Sequence, residues 1–120
     1  MVVLDTNVII DFLEGREKVA EVVGRYKSSE LATTFVNQYE LLKYRTRSRM
    51  EESLKNLKIY QSSVASVEFS ANAYKELKEK GSIISDNDLL IFGLCLANDE
   101  MLITRDQDFK KLKSDIVMLI

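Results

Sequence analysis

A chain of 120 residues, 46% hydrophobic and 30% charged, has the size and composition of one globular domain with a buried core, and no apolar run is long enough to span a bilayer. A net charge of −2 gives a polyanion no global attraction, so a nucleic-acid partner would have to be held by a local basic patch. Histidine is absent and Cys95 is the one cysteine, which removes the commonest general base and any internal disulfide and leaves carboxylates, hydroxyls, lysines and a thiol for chemistry.

The opening Met1 to Leu4 is a β-rich run that ends on Asp5, and Thr6 to Glu14 places Val8, Ile9, Phe12 and Leu13 at helical spacing before Gly15. No basic leader or cleavage site precedes this strand, so the expectation is a single domain over residues 1–120 in a reducing cytoplasm. Glu17 to Lys27 reads as a second amphipathic helix, and Leu31, Ala32 and Thr33 as a short buried strand. Thr34 to Arg45 carries Phe35, Tyr39 and Leu42 in helical register, and a further helix is predicted over Met50 to Tyr60. Ser63 to Val67 reads as the third strand. Phe69, Ala73 and Leu77 then mark one face of a helix that Gly81 terminates.

The apolar run Leu89 to Ala97 suits a buried strand or a buried helix on periodicity alone. Helix is preferred, because Ser85 with Asp88 resembles a capping box and because Met101 to Thr104 already makes a strand just beyond. A last strand is predicted at Ile116 to Leu119. Strands alternating with helices imply a three-layer α/β/α sandwich around a mostly parallel sheet.

In such sheets, sites form beyond the carboxyl ends of the strands. Asp5 lies at the end of the first strand, Asp106 follows the strand ending at Thr104, and Asp86 and Asp88 open the long apolar helix. Singly, each has an ordinary reading: Asp5 and Asp88 as helix caps, Asp106 as a turn residue, mid-helix Glu40 as part of a solvated face. Jointly, three strand-to-helix junctions on one edge carry aspartate. Their mutual repulsion is best relieved by a hard divalent cation such as Mg²⁺ or Mn²⁺.

The motifs Leu4-Asp5-Thr6-Asn7, Asn37-Gln38-Tyr39-Glu40-Leu41, Asp86-Asn87-Asp88-Leu89-Leu90-Ile91 and Leu102-Ile103-Thr104-Arg105-Asp106-Gln107-Asp108-Phe109, in this order, resemble a PIN domain. More narrowly, they resemble the stand-alone toxin type called VapC, and the likeness runs over essentially the whole chain. The resemblance implies a PIN-like fold and an acidic metal-binding quartet of Asp5, Glu40, Asp88 and Asp106. Asp86 would be a fifth acid, with Thr6, Asn7 and Thr104 as polar support. It implies hydrolysis of RNA to a 3′-hydroxyl and a 5′-phosphate by water activated at Mg²⁺ or Mn²⁺. It also implies a VapB-like antitoxin whose C-terminal segment occupies the catalytic groove, and a homodimer. Two departures stand out: Phe92 and Gly93 replace the small alanines usual after the third acid, and the proline often found before that acid is missing.

RNA would still have to be attracted. Lys43, Arg45, Arg47 and Arg49 follow directly on the helix of Glu40, with Tyr44 among them, and are the candidate RNA contacts, against the alternative of a solvated basic loop. Lys110, Lys111 and Lys113 read as surface solubilisers. Phe12, Tyr39 and Tyr44 suit either core or an interaction surface. A haloacid-dehalogenase phosphatase also starts on a strand ending in aspartate but needs a second acid where Asn7 stands, and a receiver-like regulator lacks its later lysine here. The serious rival is a PIN-like domain that binds RNA or a partner without cutting.

Overall fold

The computed structural model describes residues 1–44 and 47–120, the side chain of residue 47 excepted. Five strands, β1 (Val2–Leu4), β2 (Leu31–Thr34), β3 (Lys58–Tyr60), β4 (Met101–Thr104) and β5 (Val117–Leu119), form one sheet in the order β3-β2-β1-β4-β5. Every pairing is parallel, with Val3 of β1 level with Ala32 on one side and Leu102 on the other. From central β1 the chain runs outward to β2 and β3, then crosses back to β4 and β5. Strand order therefore reverses between β1 and β4, where a crevice opens beyond the carboxyl ends of an open parallel sheet.

The helices are α1 (Thr6–Leu13), α2 (Glu17–Val23), α3 (Phe35–Leu42), α4 (Arg47–Leu54), α5 (Val64–Glu79) and α6 (Asp86–Ala97). Side chains alternate across a strand, and β1 divides accordingly. Val2 and Leu4 join Val8, Ile9, Val23, Leu41, Met50 and Ile103 in the core under α1, α2 and α4. Val3 joins Ala32, Leu77, Ile91, Leu94 and Leu102 in the core under α5 and α6. Helix α3 serves both layers, with Val36 in the second core and Leu41 in the first. The result is the expected α/β/α sandwich with a wholly parallel sheet.

Two predicted elements are corrected. The helix expected over Met50 to Tyr60 ends at Leu54, and Lys58–Tyr60 is instead the edge strand β3, paired with Ala32–Thr34. The strand expected at Ser63 to Val67 is the first turn of α5. The Ser63 hydroxyl caps the Ser66 amide at 3.1 Å and Ser66 returns the bond to the Ser63 amide at 2.9 Å, while Val64 and Val67 face solvent. A reciprocal serine cap outweighs the β-propensity of two valines that stay largely exposed.

Helices α5 and α6 touch almost backbone to backbone. The Ser70 hydroxyl donates to the Leu89 carbonyl of α6 at 2.8 Å and to the Ser66 carbonyl at 3.0 Å. A Cβ on Gly93 would fall 2.0 Å from Ser70 Oγ and 2.4 Å from the Ser66 carbonyl oxygen. The glycine that departs from the family pattern is thus what permits this close approach. Gly81 ends α5 with φ +72°, and the Ser82 amide closes back onto the Leu77 carbonyl at 2.8 Å.

Candidate active site

Asp5 leaves β1 at the centre of the sheet and is 5% exposed. Its Oδ1 caps α1 through the Thr6 amide at 2.8 Å and accepts from Asn37 Nδ2 at 3.0 Å, while its Oδ2 accepts from Thr104 Oγ1 at 2.5 Å. Asp5 is therefore both a helix cap and the hub of a polar network. Burial pushes its pKa above the ordinary carboxylate value and the charge of Glu40 adds to this, against the lowering effect of hydrogen bonds from Thr104, Thr6 and Asn37.

Glu40 is no solvated helix residue. Its Oε1 accepts from Thr6 Oγ1 at 2.6 Å and its Oε2 from Asn87 Nδ2 at 3.3 Å, which ties α3 to α1 and α6. Asp88 stands in the first turn of α6, whose N-cap Ser85 accepts from the Asp88 amide at 3.2 Å. Its carboxyl is pushed up to about 7, first by burial and then by the charges of Asp106 and Asp5. Asp106 follows β4; its amide donates to Thr104 Oγ1 at 3.0 Å and its Oδ1 accepts from the Asp108 amide at 2.9 Å. That turn brings Asp108 alongside. Carboxylate oxygens of Asp88, Asp106 and Asp108 lie within 4.8 Å of one another, close enough to share one cation.

The structure thus gathers Asp88, Asp106 and Asp108, with Asp5 near enough for its charge to act on Asp88, Glu40 near enough to act on Asp5, and Thr6 and Thr104 lying between them. Asp86 does not join them. Two residues along α6 is roughly 200° around the axis, and Asp86 is exposed beside a hollow lined by Val67, Ser70 and Tyr74 of α5. Asn7 supports the site indirectly, accepting from the Arg105 amide at 3.3 Å. An all-oxygen, anionic donor set suits a hard divalent ion, and Asp88, Asp106 and Asp108 are close enough to share one, with Asp5 and Glu40 behind them.

Three contributors escaped the sequence reading. Asn37 is fully buried and bridges Asp5, Thr6 at 3.0 Å and the Thr34 hydroxyl at 2.7 Å; the only trace of it in sequence is the Thr34-x-x-Asn37 spacing of a helix start. Asp108 could be suspected only from its closeness to Asp106. Asn87, between two acids, showed nothing beyond surface polarity.

The basic run is partly described. Lys43 is exposed, with its ammonium 4.8 Å from the Tyr39 ring centroid, and the Arg49 guanidinium donates to the Leu13 carbonyl. Arg45 and the Arg47 side chain lie outside the described residues. Lys111, expected to be only a solubiliser, donates to the Ile83 carbonyl at 3.0 Å and pairs with Asp108 at 3.4 Å. Phe12, Tyr39 and Tyr44 are all exposed.

A parallel sheet with acids gathered at its strand-order reversal defines a class of α/β proteins with a carboxylate-lined site. The sequence matches the PIN domain family over residues 2–114, and the chain belongs to that family. Solved structures agree in fold. A toxin–antitoxin complex from Klebsiella pneumoniae superposes with a TM-score of 0.81 at 23% identity, covering 98% of this chain and 96% of that one. VapBC2 from Rickettsia felis, bound to a DNA fragment from its promoter, gives 0.79 at 22% identity over 100% and 98% of the two chains. DNA-bound VapBC from Salmonella typhimurium gives 0.82 at 18% identity over 98% of each. No curated protein matches the sequence. No helix among the described residues is long and apolar enough to cross a membrane.

Proposed function

We infer that this protein is a Mg²⁺- or Mn²⁺-dependent endoribonuclease of the VapC type, the toxin of a cytoplasmic toxin–antitoxin pair. The observation that supports the reading is the cluster of Asp88, Asp106 and Asp108 at the reversal of strand order, beside Asp5 and Glu40; we assign Asp5, Glu40, Asp88 and Asp106 as the metal-holding quartet. When bound, the cation supplies an activated water and neutralises charge on the phosphodiester under attack. The chain's own part is to hold the carboxylates. Thr104 fixes Asp5 against Asp106, Thr6 fixes Glu40, and Asn37 holds Asp5 and Thr6 together. Lys43, Arg45, Arg47 and Arg49 supply cations to the RNA backbone.

The neighbouring structures named as toxin–antitoxin complexes support a VapB-like antitoxin as partner. An apolar groove of about 640 Å³, lined by Leu4, Phe12, Leu13, Tyr26 and Leu57, is suited to an apolar antitoxin segment. Exposed Val64, Val67 and Tyr74 share one side of α5 and offer an apolar stripe to a second copy in a homodimer.

Cleavage of single-stranded RNA by purified protein, with Mg²⁺ or Mn²⁺ and with chelator, tests the reading alongside Asp5→Asn. Metal-dependent cutting that Asp5→Asn abolishes is the expected result. Equal cutting in chelator overturns the mechanism. RNA binding without cutting in any condition would make the protein a non-cleaving PIN-like module.

A further inference from the structure

The mechanism leaves the buried charge of Asp11 unused. The Asp11 side chain on α1 is 6% exposed, and it accepts from Arg16 Nε at 3.0 Å and from the guanidinium of Arg105. A carboxylate this deep is costly unless paired and hydrogen-bonded, and here both partners are arginines. Arg16 belongs to the turn just after α1 and also meets Glu14 at 3.7 Å. Arg105 comes from the far end of the sequence and stands between Thr104 and Asp106.

Three consecutive residues at the end of β4 are each fastened. Thr104 bonds to Asp5 at 2.5 Å. Arg105 is held twice, its amide by Asn7 at 3.3 Å and its guanidinium by Asp11. The Asp106 amide bonds back to Thr104 at 3.0 Å. Asn7 and Asp11 are four residues apart on a helix and so share one face. That face of α1 grips the loop that carries Asp106. Arg105 is 42% exposed at its side chain, so its ion pair contributes geometry more than stability.

We propose that Asp11 and Arg105 form a positioning clamp that sets Asp106 relative to Asp5 and thereby tunes the acidic site for a small divalent cation. The proposal rests on the metal-site reading above. Groups behind the ligands commonly change metal affinity 10- to 100-fold when removed. A small cation that demands near-ideal octahedral geometry is the most sensitive to a displaced ligand.

The experiment measures Mn²⁺ binding to the full-length protein by electron paramagnetic resonance of free Mn²⁺, with thermal melts in chelator as the folding control. Arg105→Gln, at a partly exposed position, is expected to melt near wild type yet bind Mn²⁺ roughly 10-fold more weakly. Asp11→Asn should weaken binding similarly, and the double variant should lose no more than Arg105→Gln alone. Arg16→Gln removes the other cation on Asp11 without touching the loop and should bind like wild type. If Asp11→Asn fails to fold, the Arg105→Gln and Arg16→Gln comparison still decides. Wild-type affinity in Arg105→Gln overturns the clamp, as does equal weakening by Arg16→Gln, which would make Asp11 a matter of charge balance. A wild-type protein that binds no Mn²⁺ overturns the metal-site reading and the clamp with it.

Discussion

The hydroxyl of Thr104 donates to Asp5 at 2.5 Å across 99 residues of sequence, and the same oxygen accepts from the Asp106 amide. One side chain thereby couples the carboxyl ends of the two strands between which the sheet reverses its order. Thr104→Val keeps the volume but leaves a buried carboxylate without its shortest donor. The loss should cost about 1–3 kcal/mol of stability and lower RNA cleavage at least tenfold, read from melts and initial rates of the same preparation.

Asp88→Asn should abolish cleavage yet raise the melting temperature of the metal-free protein, by about 1 kcal/mol of stability. The folded state holds the Asp88 proton up to about pH 7, whereas the ordinary value is 3.8. Below that lower value both states carry it; between the two only the folded state does, so stability falls as pH rises through this window. In chelator the advantage of Asp88→Asn over wild type should therefore grow from pH 4 to pH 7. Added Mg²⁺ should favour wild type, since a ligand confined to the folded state stabilises it. Melts across pH would reject this if the variant proved the less stable in chelator and responded equally to Mg²⁺, as loss of a mere helix cap predicts.

Glycine inside a helix ordinarily costs about 1 kcal/mol relative to alanine, so Gly93→Ala should stabilise an unconstrained α6. The opposite is expected. The new methyl would lie 2.4 Å from the Ser66 carbonyl oxygen, which belongs to backbone and cannot swing aside, so a loss of about 2 kcal/mol or more is the expected outcome of chemical denaturation.

Replacing Lys43, Arg45, Arg47 and Arg49 together by alanine should weaken RNA binding and flatten the slope of log affinity against log salt, because fewer counterions are released. The Arg49 contact to Leu13 ties α4 to the end of α1, so a small stability loss should accompany it. Titrations at several salt concentrations would show an unchanged slope if the run were only a solvated surface.

The sequence was most legible where period and punctuation agree. Asp5 and Asp106 could be placed because each closely follows a short apolar strand, and α6 because Ser85 with Asp88 resembles a capping box and Met101–Thr104 already makes the strand beyond it. Reading failed at β3, whose Lys-Ile-Tyr has no alternation of its own and is a strand only because β2 offers an edge. It failed again at Val64 and Val67, where two β-formers sit on the wet side of a capped helix. Asn37 and the Asp11–Arg105 pair were hidden for a different cause. Their meaning is tertiary, since an asparagine or an acid on a helix face looks solvated until another part of the chain arrives to bury it.

The central position of β1 also bears on how the protein is made. Its flanking strands are β2, at residues 31–34, and β4, at residues 101–104, so β1 waits on the ribosome for a strand made much later to complete its pairing. Until Thr104 and Asp106 have emerged, Asp5 lacks its shortest hydrogen bond, and Asp88 lacks Asp106 and Asp108 beside it. A nascent chain halted at residue 100 holds Asp5, Glu40 and Asp88 but neither Asp106 nor the threonine that joins Asp5 to it. An acidic site completed only by β4 and the loop after it would thus stay unfinished through most of its own translation.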